Sequence, residues 1–225
     1  KLADAIQKIG AAEFPLHTTK TVRDFFQGIA EKVDKKYRAG IFALLDAKTY
    51  RAALKQLPID DGLRAMVSAM LHNTVTPTML NAGTKINVIP SVAEARCDAR
   101  LIPGQTTRDL LRELRAVVGN AVEIEFEDNR MGRESDHQTP LFDTITRVMA
   151  QHQPQAPVLP FLVTGATDAR HVTKLGTKVY GFCPMLTPNS ELERVHAHDE
   201  RISLDNLEFG ARVLYQVVSE FCQIA

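Results

Sequence analysis

The stretch from Ala93 to Leu101 constrains the fold of this chain more than any other. Ala93, Ala95, Cys97, Ala99 and Leu101 alternate with Glu94, Arg96, Asp98 and Arg100, and successive side chains of a β-strand point to opposite faces. One face is therefore small and apolar and the other fully charged, the pattern of an antiparallel sheet with one wet side. The spacing predicts a strand over Val92 to Ile102. The apolar run Ile86 to Ile89, joined to it around Pro90 and Ser91, reads as its hairpin partner. Thr74 to Asn81 is rich in Thr and Pro and reads as the change of texture that precedes the pair.

Helical patterns flank this sheet. Leu2, Ile6 and Ile9 recur at helical spacing up to Gly10, and the chain opens inside that helix at Lys1, with no capping residue and no initiator Met,. A cut through a longer protein is expected there. From Val22 to Leu71 the pattern is that of several short helices, broken at Pro58, which reads as a helical insertion over about residues 15–72,. After Pro103 and Gly104, Thr106 or Thr107 caps a helix with the stripe Leu110, Leu111, Leu114, Val117 and Val118, and Gly119 stops it,. Val122, Ile124 and Phe126 then alternate with Glu123, Glu125 and Glu127 as a second one-sided strand. Helices on one face of an antiparallel sheet, with a first strand missing, make an α+β unit over residues 1–133.

The polar stretch Asp128 to Thr139 is the best domain boundary, and a second unit is expected over 134–225,. Leu141 to His152 is helical, Val158 to Val163 is an apolar strand, Thr167 to Leu175 a short helix and Lys178 to Phe182 another strand, which together read as a βαβ unit. Ser203 caps a last helix whose apolar face is Leu204, Leu207, Ala211, Leu214, Val218 and Phe221. The fold class is α/β overall.

Composition narrows the function. Lys plus Arg and Asp plus Glu are each 27, a net charge of zero, which argues against nucleic-acid binding or an anionic membrane surface and toward small substrates or protein partners. No apolar run approaches a membrane span. Three scattered cysteines, Cys97, Cys183 and Cys222, give neither a disulfide framework nor a thiolate metal site, so a reducing, cytoplasmic setting is expected. The phosphate-loop, dinucleotide, serine-hydrolase and H-E-x-x-H motifs are all absent,.

Three patches can carry chemistry. The turn Val163 to His171 sits where a strand gives way to a helix, a place where an anion can bind; the simpler reading makes Thr167 or Asp168 a cap and Arg170 a surface charge. The loop Glu193 to Arg201 holds His196 and His198 among acids, compatible with metal ligation or with a solvated charged loop. On the hairpin, Asn87 and Arg100 are an amide and a guanidinium suited to a substrate carboxylate, or simply parts of a wet sheet face.

Taken in order, N-V-I-P at Asn87 to Pro90, D-A-R-L at Asp98 to Leu101, G-A-T-D-A-R-H at Gly165 to His171, G-F-C-P-M at Gly181 to Met185 and H-A-H-D-E-R-I at His196 to Ile202 resemble the di-zinc metallopeptidases that include aminoacylase-1, carboxypeptidase S, carboxypeptidase G and succinyl-diaminopimelate desuccinylase. The aminoacylase and carboxypeptidase S branches look nearest. The resemblance implies a lid and dimerisation domain over residues 1–133, followed by the last part of a zinc-binding catalytic domain. It implies that His196 is a metal ligand, that Asn87, Arg100, Thr167 and Arg170 bind substrate, and that Asn87 crosses a homodimer interface formed by the lid. The implied reaction is hydrolysis of an N-acyl amino acid or small peptide with a free carboxylate, using two zinc ions or other divalent metals. The family's G-H-x-D motif and Glu-Glu pair do not occur in this sequence, so the general-base Glu is expected upstream of Lys1 and the chain alone is expected to be inactive. The alternative is a non-catalytic dimerisation or binding module, or a pseudoenzyme.

Overall fold

The computed structural model describes residues 1–128, 131–188, 191 and 194–223. Its elements are α1 (Leu2–Ala11), α2 (Lys20–Lys32), α3 (Lys35–Ala43), α4 (Tyr50–Gln56), α5 (Asp61–Leu71), β1 (Thr74–Ala82), β2 (Ala93–Arg100), α6 (Thr107–Val118), α7 (Pro140–His152), α8 (Ala169–Val172) with a 3₁₀ turn at Thr173–Leu175, and α9 (Leu204–Cys222). The chain is α/β, mixing helices with a two-stranded antiparallel sheet. It divides into two compact units. The first is Lys1–Glu134 with Pro160–Thr177, and the second is Ser135–Leu159 with the residues from Lys178 on.

Caps set the helix starts. The Thr19, Asp34, Asp60, Thr139 and Ser203 side chains each accept a backbone N–H of the first turn. Thr106 and Asp109 form a reciprocal capping box at α6, which ends at Gly119 with φ of 62°, a conformation that suits glycine.

The sheet corrects the expected hairpin. β2 pairs not with Ile86–Ile89 but with β1, from Thr74 opposite Arg100 to Ala82 opposite Ala93. Pro77 has no N–H to give a ladder; a register shift between Pro77 and Met79 accommodates it, and the Thr78 hydroxyl donates to the Arg96 carbonyl at 3.3 Å. Two strands of nine and eight residues form a longer ladder than a four-residue arm could, so residues 83–92 become the connection. Two further expected strands differ as well. Val122–Phe126 runs without a ladder among the described residues, Ile124 packing against the α6 core. Val158–Val163 and Lys178–Phe182 likewise have no strand pairing there, so the expected βαβ ladder is not present.

Unit 1 contains two separate apolar cores. One lies within α2–α5 and is built on Val22, Phe26, Ile41, Leu44, Tyr50, Val67, Met70 and Leu71. The other joins α1, β1 and α6 through Phe14, Val75, Leu110 and Leu114. The chain passes between them twice, through His17 and through Asn73, and one carboxylate holds both passages. Glu113 of α6 lies 2.7 Å through Oε1 from His17 Nε2 and accepts through Oε2 from the Asn73 amide at 2.9 Å. Asn73, 1% exposed, in turn accepts the Ile102 N–H at 2.9 Å. The passages also bond directly, His17 N–H to the Leu71 carbonyl and His72 Nδ1 to the Phe14 carbonyl, both at 2.7 Å.

Unit 2 packs α7 on α9 through Ile145, Val148, Val213 and Val217, with Tyr180 and Phe182 against them. This corrects the expected face of α9. The stripe Leu207, Ala211, Leu214, Val218 and Phe221 is exposed, and the buried face is Gly210, Val213 and Val217, one residue round the helix. Gly210 explains the choice. A Cβ there would lie 2.9 Å from the Pro184 carbonyl, so only glycine lets the 184–186 segment close on the helix, where Asn206 bonds both the N–H and the carbonyl of Leu186. No helix among the described residues is long and apolar enough to cross a membrane.

Candidate functional site

The candidate residues fall on three short segments. Asn87 lies in the exposed turn between β1 and β2, where the Val88 N–H returns to the Lys85 carbonyl at 3.3 Å. Around it Ile86, Val88, Ile89 and Val92 are all exposed, so the amide stands on an apolar tip. Arg100 closes β2 on its charged side. Its Nε donates to Asp98 at 2.7 Å, two residues away on the same face, while Arg96 pairs with Glu127 at 3.3 Å. Paired charges make that face stable in water, and they hold the Arg100 guanidinium in one orientation.

Thr167 and Arg170 share a single turn. Thr167 Oγ1 accepts the Ala169 N–H at 3.3 Å, and the Arg170 N–H returns to the Thr167 carbonyl at 3.4 Å. The sequence suggested a helix N-terminus as an anion site here. α8 has only four residues, too few to align a useful macrodipole, so any pull on an anion would come from Arg170. That guanidinium is fixed locally, its Nε donating to His171 Nε2 at 3.0 Å.

His196 stands in a strained loop. Its φ is 63° and that of Asp199 is 66°, left-handed conformations that cost a non-glycine residue about 1 kcal/mol or more. A network of ion pairs holds the loop in place. Arg201 donates twice to Glu191, at 2.9 and 3.0 Å, Arg194 reaches Asp199 at 3.3 Å, and the His196 N–H donates to Glu200 at 3.2 Å. The hydrogen bonds from Arg201 hold the Glu191 carboxyl below the usual carboxylate range, and Arg194 adds to the effect. The result is an exposed imidazole on a braced loop. Glu193, at the head of the acidic flank, lies outside the described residues.

A metal ion requires more than this. Zinc takes about four ligands, and among the described residues no three His, Cys, Asp or Glu side chains converge. His196 supplies one donor, so the residues described in this chain do not by themselves fit a resident metal.

The Glu113 clasp was not foreseen in the sequence, where His17 and His72 have no suggestive spacing. One signal was there: Glu113 interrupts the apolar stripe of α6 between Leu110 and Leu114, and a carboxylate on a buried stripe needs a partner.

Comparison with known proteins settles the ancestry. The family model described as peptidase family M20/M25/M40 matches residues 15–220. The chain belongs to that family. Among relatives, a probable carboxypeptidase S-like 2 of Dictyostelium discoideum is 32% identical over 155 residues, covering 68% of this chain and 30% of its own. The human N-fatty-acyl-amino acid synthase/hydrolase PM20D1 is 28% identical over 166 residues, 68% of this chain and 32% of its own. Human aminoacylase-1 is 28% identical over 135 residues, covering 57% and 32%. An M20 family metallo-carboxypeptidase, Sso-CP2 from Sulfolobus solfataricus, shares the fold with a TM-score of 0.51 at 16% identity, over 98% of this chain and 52% of that one. The chain thus spans about a third of the length of the curated relatives it matches. All five motifs from Asn87 to Ile202 lie inside the part matched to the M20 family.

Proposed function

We propose that this chain is the lid and the last catalytic-domain segment of a metal-dependent hydrolase that cleaves the amide bond of N-acyl amino acids or small peptides bearing a free carboxylate. The observation that carries this reading is the family match over residues 15–220, which contains every motif-bearing residue. In the proposed enzyme Arg100 and Arg170 bind the substrate carboxylate, since a guanidinium matches its two oxygens. Asn87 and Thr167 add hydrogen bonds that orient the amide. His196 is one ligand of a zinc or other divalent ion, and the remaining ligands and the general-base Glu belong to other parts of the parent protein. No catalytic step is assigned to residues of this chain. The lid hairpin forms a homodimer through its exposed aliphatics and carries Asn87 toward the neighbouring site. Three exposed free thiols, Cys97, Cys183 and Cys222, agree with a cytoplasmic setting.

The test is an assay of N-acetyl amino acids and dipeptides with added Zn²⁺ or Co²⁺, on this chain and on the longer parent. The parent turns substrate over, and Arg100→Ala or Arg170→Ala lowers kcat/KM by about tenfold or more, the loss of a charged hydrogen bond. Turnover by the 225-residue chain alone, or an inert parent, would overturn the reading. The lack of a three-ligand cluster among the described residues also suits the alternative of a non-catalytic module or pseudoenzyme; that alternative requires the parent's affinity for zinc to be unchanged by His196→Ala.

A further inference from the structure

The sequence and the fold disagree about α9. Its most apolar face, Leu207, Ala211, Leu214, Val218 and Phe221, keeps the 4-3-4-3 spacing of a packing seam, yet every one of these residues is exposed. A helix that leaves its apolar stripe bare is a helix prepared for a neighbour. A second open surface belongs to the same unit. From Lys178 to Phe182 the chain is extended without a ladder partner among the described residues, and the Val179 N–H goes to the Ser135 hydroxyl. Tyr180 and Phe182 pack into the cluster of Val213 and Val217, each one residue from the bare stripe. The open backbone and the open stripe therefore flank one small core.

We propose that these two surfaces together dock a strand-and-helix layer supplied by the same hydrolase, from the part of it that this chain does not span. The proposal rests on the function proposed above. A partner that brings a strand edge and an apolar face satisfies both surfaces at once: the edge pairs with 178–182 and the face covers the stripe. The matched Sulfolobus chain is nearly twice as long as the part that this chain covers, which leaves polypeptide of the same family to supply such a layer.

Three exposed thiols report the docking without mutation. Cys222 follows Phe221 at the end of the stripe, Cys183 follows Phe182, and Cys97 lies on β2. Iodoacetamide labelling rates, read by mass spectrometry, are compared between this chain and the gene product that carries it with its natural upstream sequence. Cys183 and Cys222 should slow by about tenfold or more in the longer protein, because labelling follows exposure. Leu214→Glu, at a surface position that this chain tolerates by circular dichroism, should restore the Cys222 rate in the longer protein. Cys97 slowing with protein concentration would report the lid dimer instead. If Cys183 and Cys222 stay fast while the longer protein hydrolyses substrate, the docking surface is wrong and the function stands. If they slow but no substrate or metal gives turnover, the surface stands and the function falls. If Cys222 is already slow in this chain, which sediments as a dimer, and Leu214→Glu frees it, a second copy is the occupant and the proposal is overturned. A reading frame with no upstream segment overturns both.

Discussion

Removing the Glu113 carboxylate should do more than weaken unit 1; it should separate its two cores. Glu113 is 9% exposed and grips His17 and Asn73, so Glu113→Ala leaves an imidazole and a buried amide without their partner. Breaking a buried, hydrogen-bonded charge pair from one side costs about 3–5 kcal/mol. That is a large part of the roughly 5–15 kcal/mol that holds a domain folded. Glu113→Gln keeps the shape and one acceptor for Asn73 but loses the charge facing His17, and should cost about 1.5–3 kcal/mol. The apolar cores do not share buried residues, so little else couples them. Urea unfolding followed by tyrosine fluorescence and far-ultraviolet circular dichroism should be a single transition for the wild type. In Glu113→Ala it should split, with amides of α2–α5 and of α6 exchanging at different denaturant concentrations. Tyr37 and Tyr50 lie in the α2–α5 body, which makes the optical probe selective. A cycle of His17→Ala, Glu113→Ala and the double variant should give a coupling energy of about 1 kcal/mol or more. Additive effects, or a Glu113→Ala protein that still unfolds in one step with a loss below about 0.5 kcal/mol, would refute the clasp.

Other consequences are simpler to check. Thr106→Ala removes the capping box of α6 and should cost about 1 kcal/mol, visible as a lower Tm by calorimetry. Gly210→Ala should destabilise although alanine is the better helix former by about 1 kcal/mol, because its Cβ would lie 2.9 Å from the Pro184 carbonyl; a raised Tm would refute that close approach. The Glu191 carboxyl is held below its ordinary range by Arg201. A depressed folded pKa gives stabilisation that is present above the unfolded value and lost as pH falls through the folded one. The His196 loop should therefore stay braced at neutral pH and loosen in acid below the ordinary carboxylate range, as followed by amide exchange at Ala197 and His196. Arg201→Ala should remove the brace at every pH.

The parts of this molecule that could be read from the sequence are those whose determinants are local. The cap at Ser203, the capping box at Thr106, the stop at Gly119 and the charged alternation of β2 each depend on residues a few positions apart, and all of them form. The motif-bearing residues Asn87, Arg100, Thr167, Arg170 and His196 stand out for the same reason, each inside a run of four to seven residues. The Glu113 clasp joins positions 96 and 40 residues apart, and no spacing rule reaches that far. Pairing choices were equally hidden. Ile86–Ile89 has better strand composition than the Pro77-containing β1, but ladder length decides pairing, and a bulge removes the proline's objection.

The α9 helix shows where periodicity stops being informative. Its two faces, Gly210, Val213 and Val217 against Leu207, Leu214, Val218 and Phe221, differ by one residue of rotation, and hydropathy ranks the second higher. Burial follows available neighbours rather than rank. α7 and the 184–186 segment need the small residue at 210 to approach, so they take the less apolar face. The more apolar face remains bare because nothing in unit 2 is shaped to meet it. Exposing Leu207, Leu214, Val218 and Phe221 forgoes about 1.5–3 kcal/mol for each large side chain that full burial would stabilise. A helix that presents that much unused driving force, beside an extended run without a ladder, has a surface whose stabilising contacts must come from another piece of polypeptide.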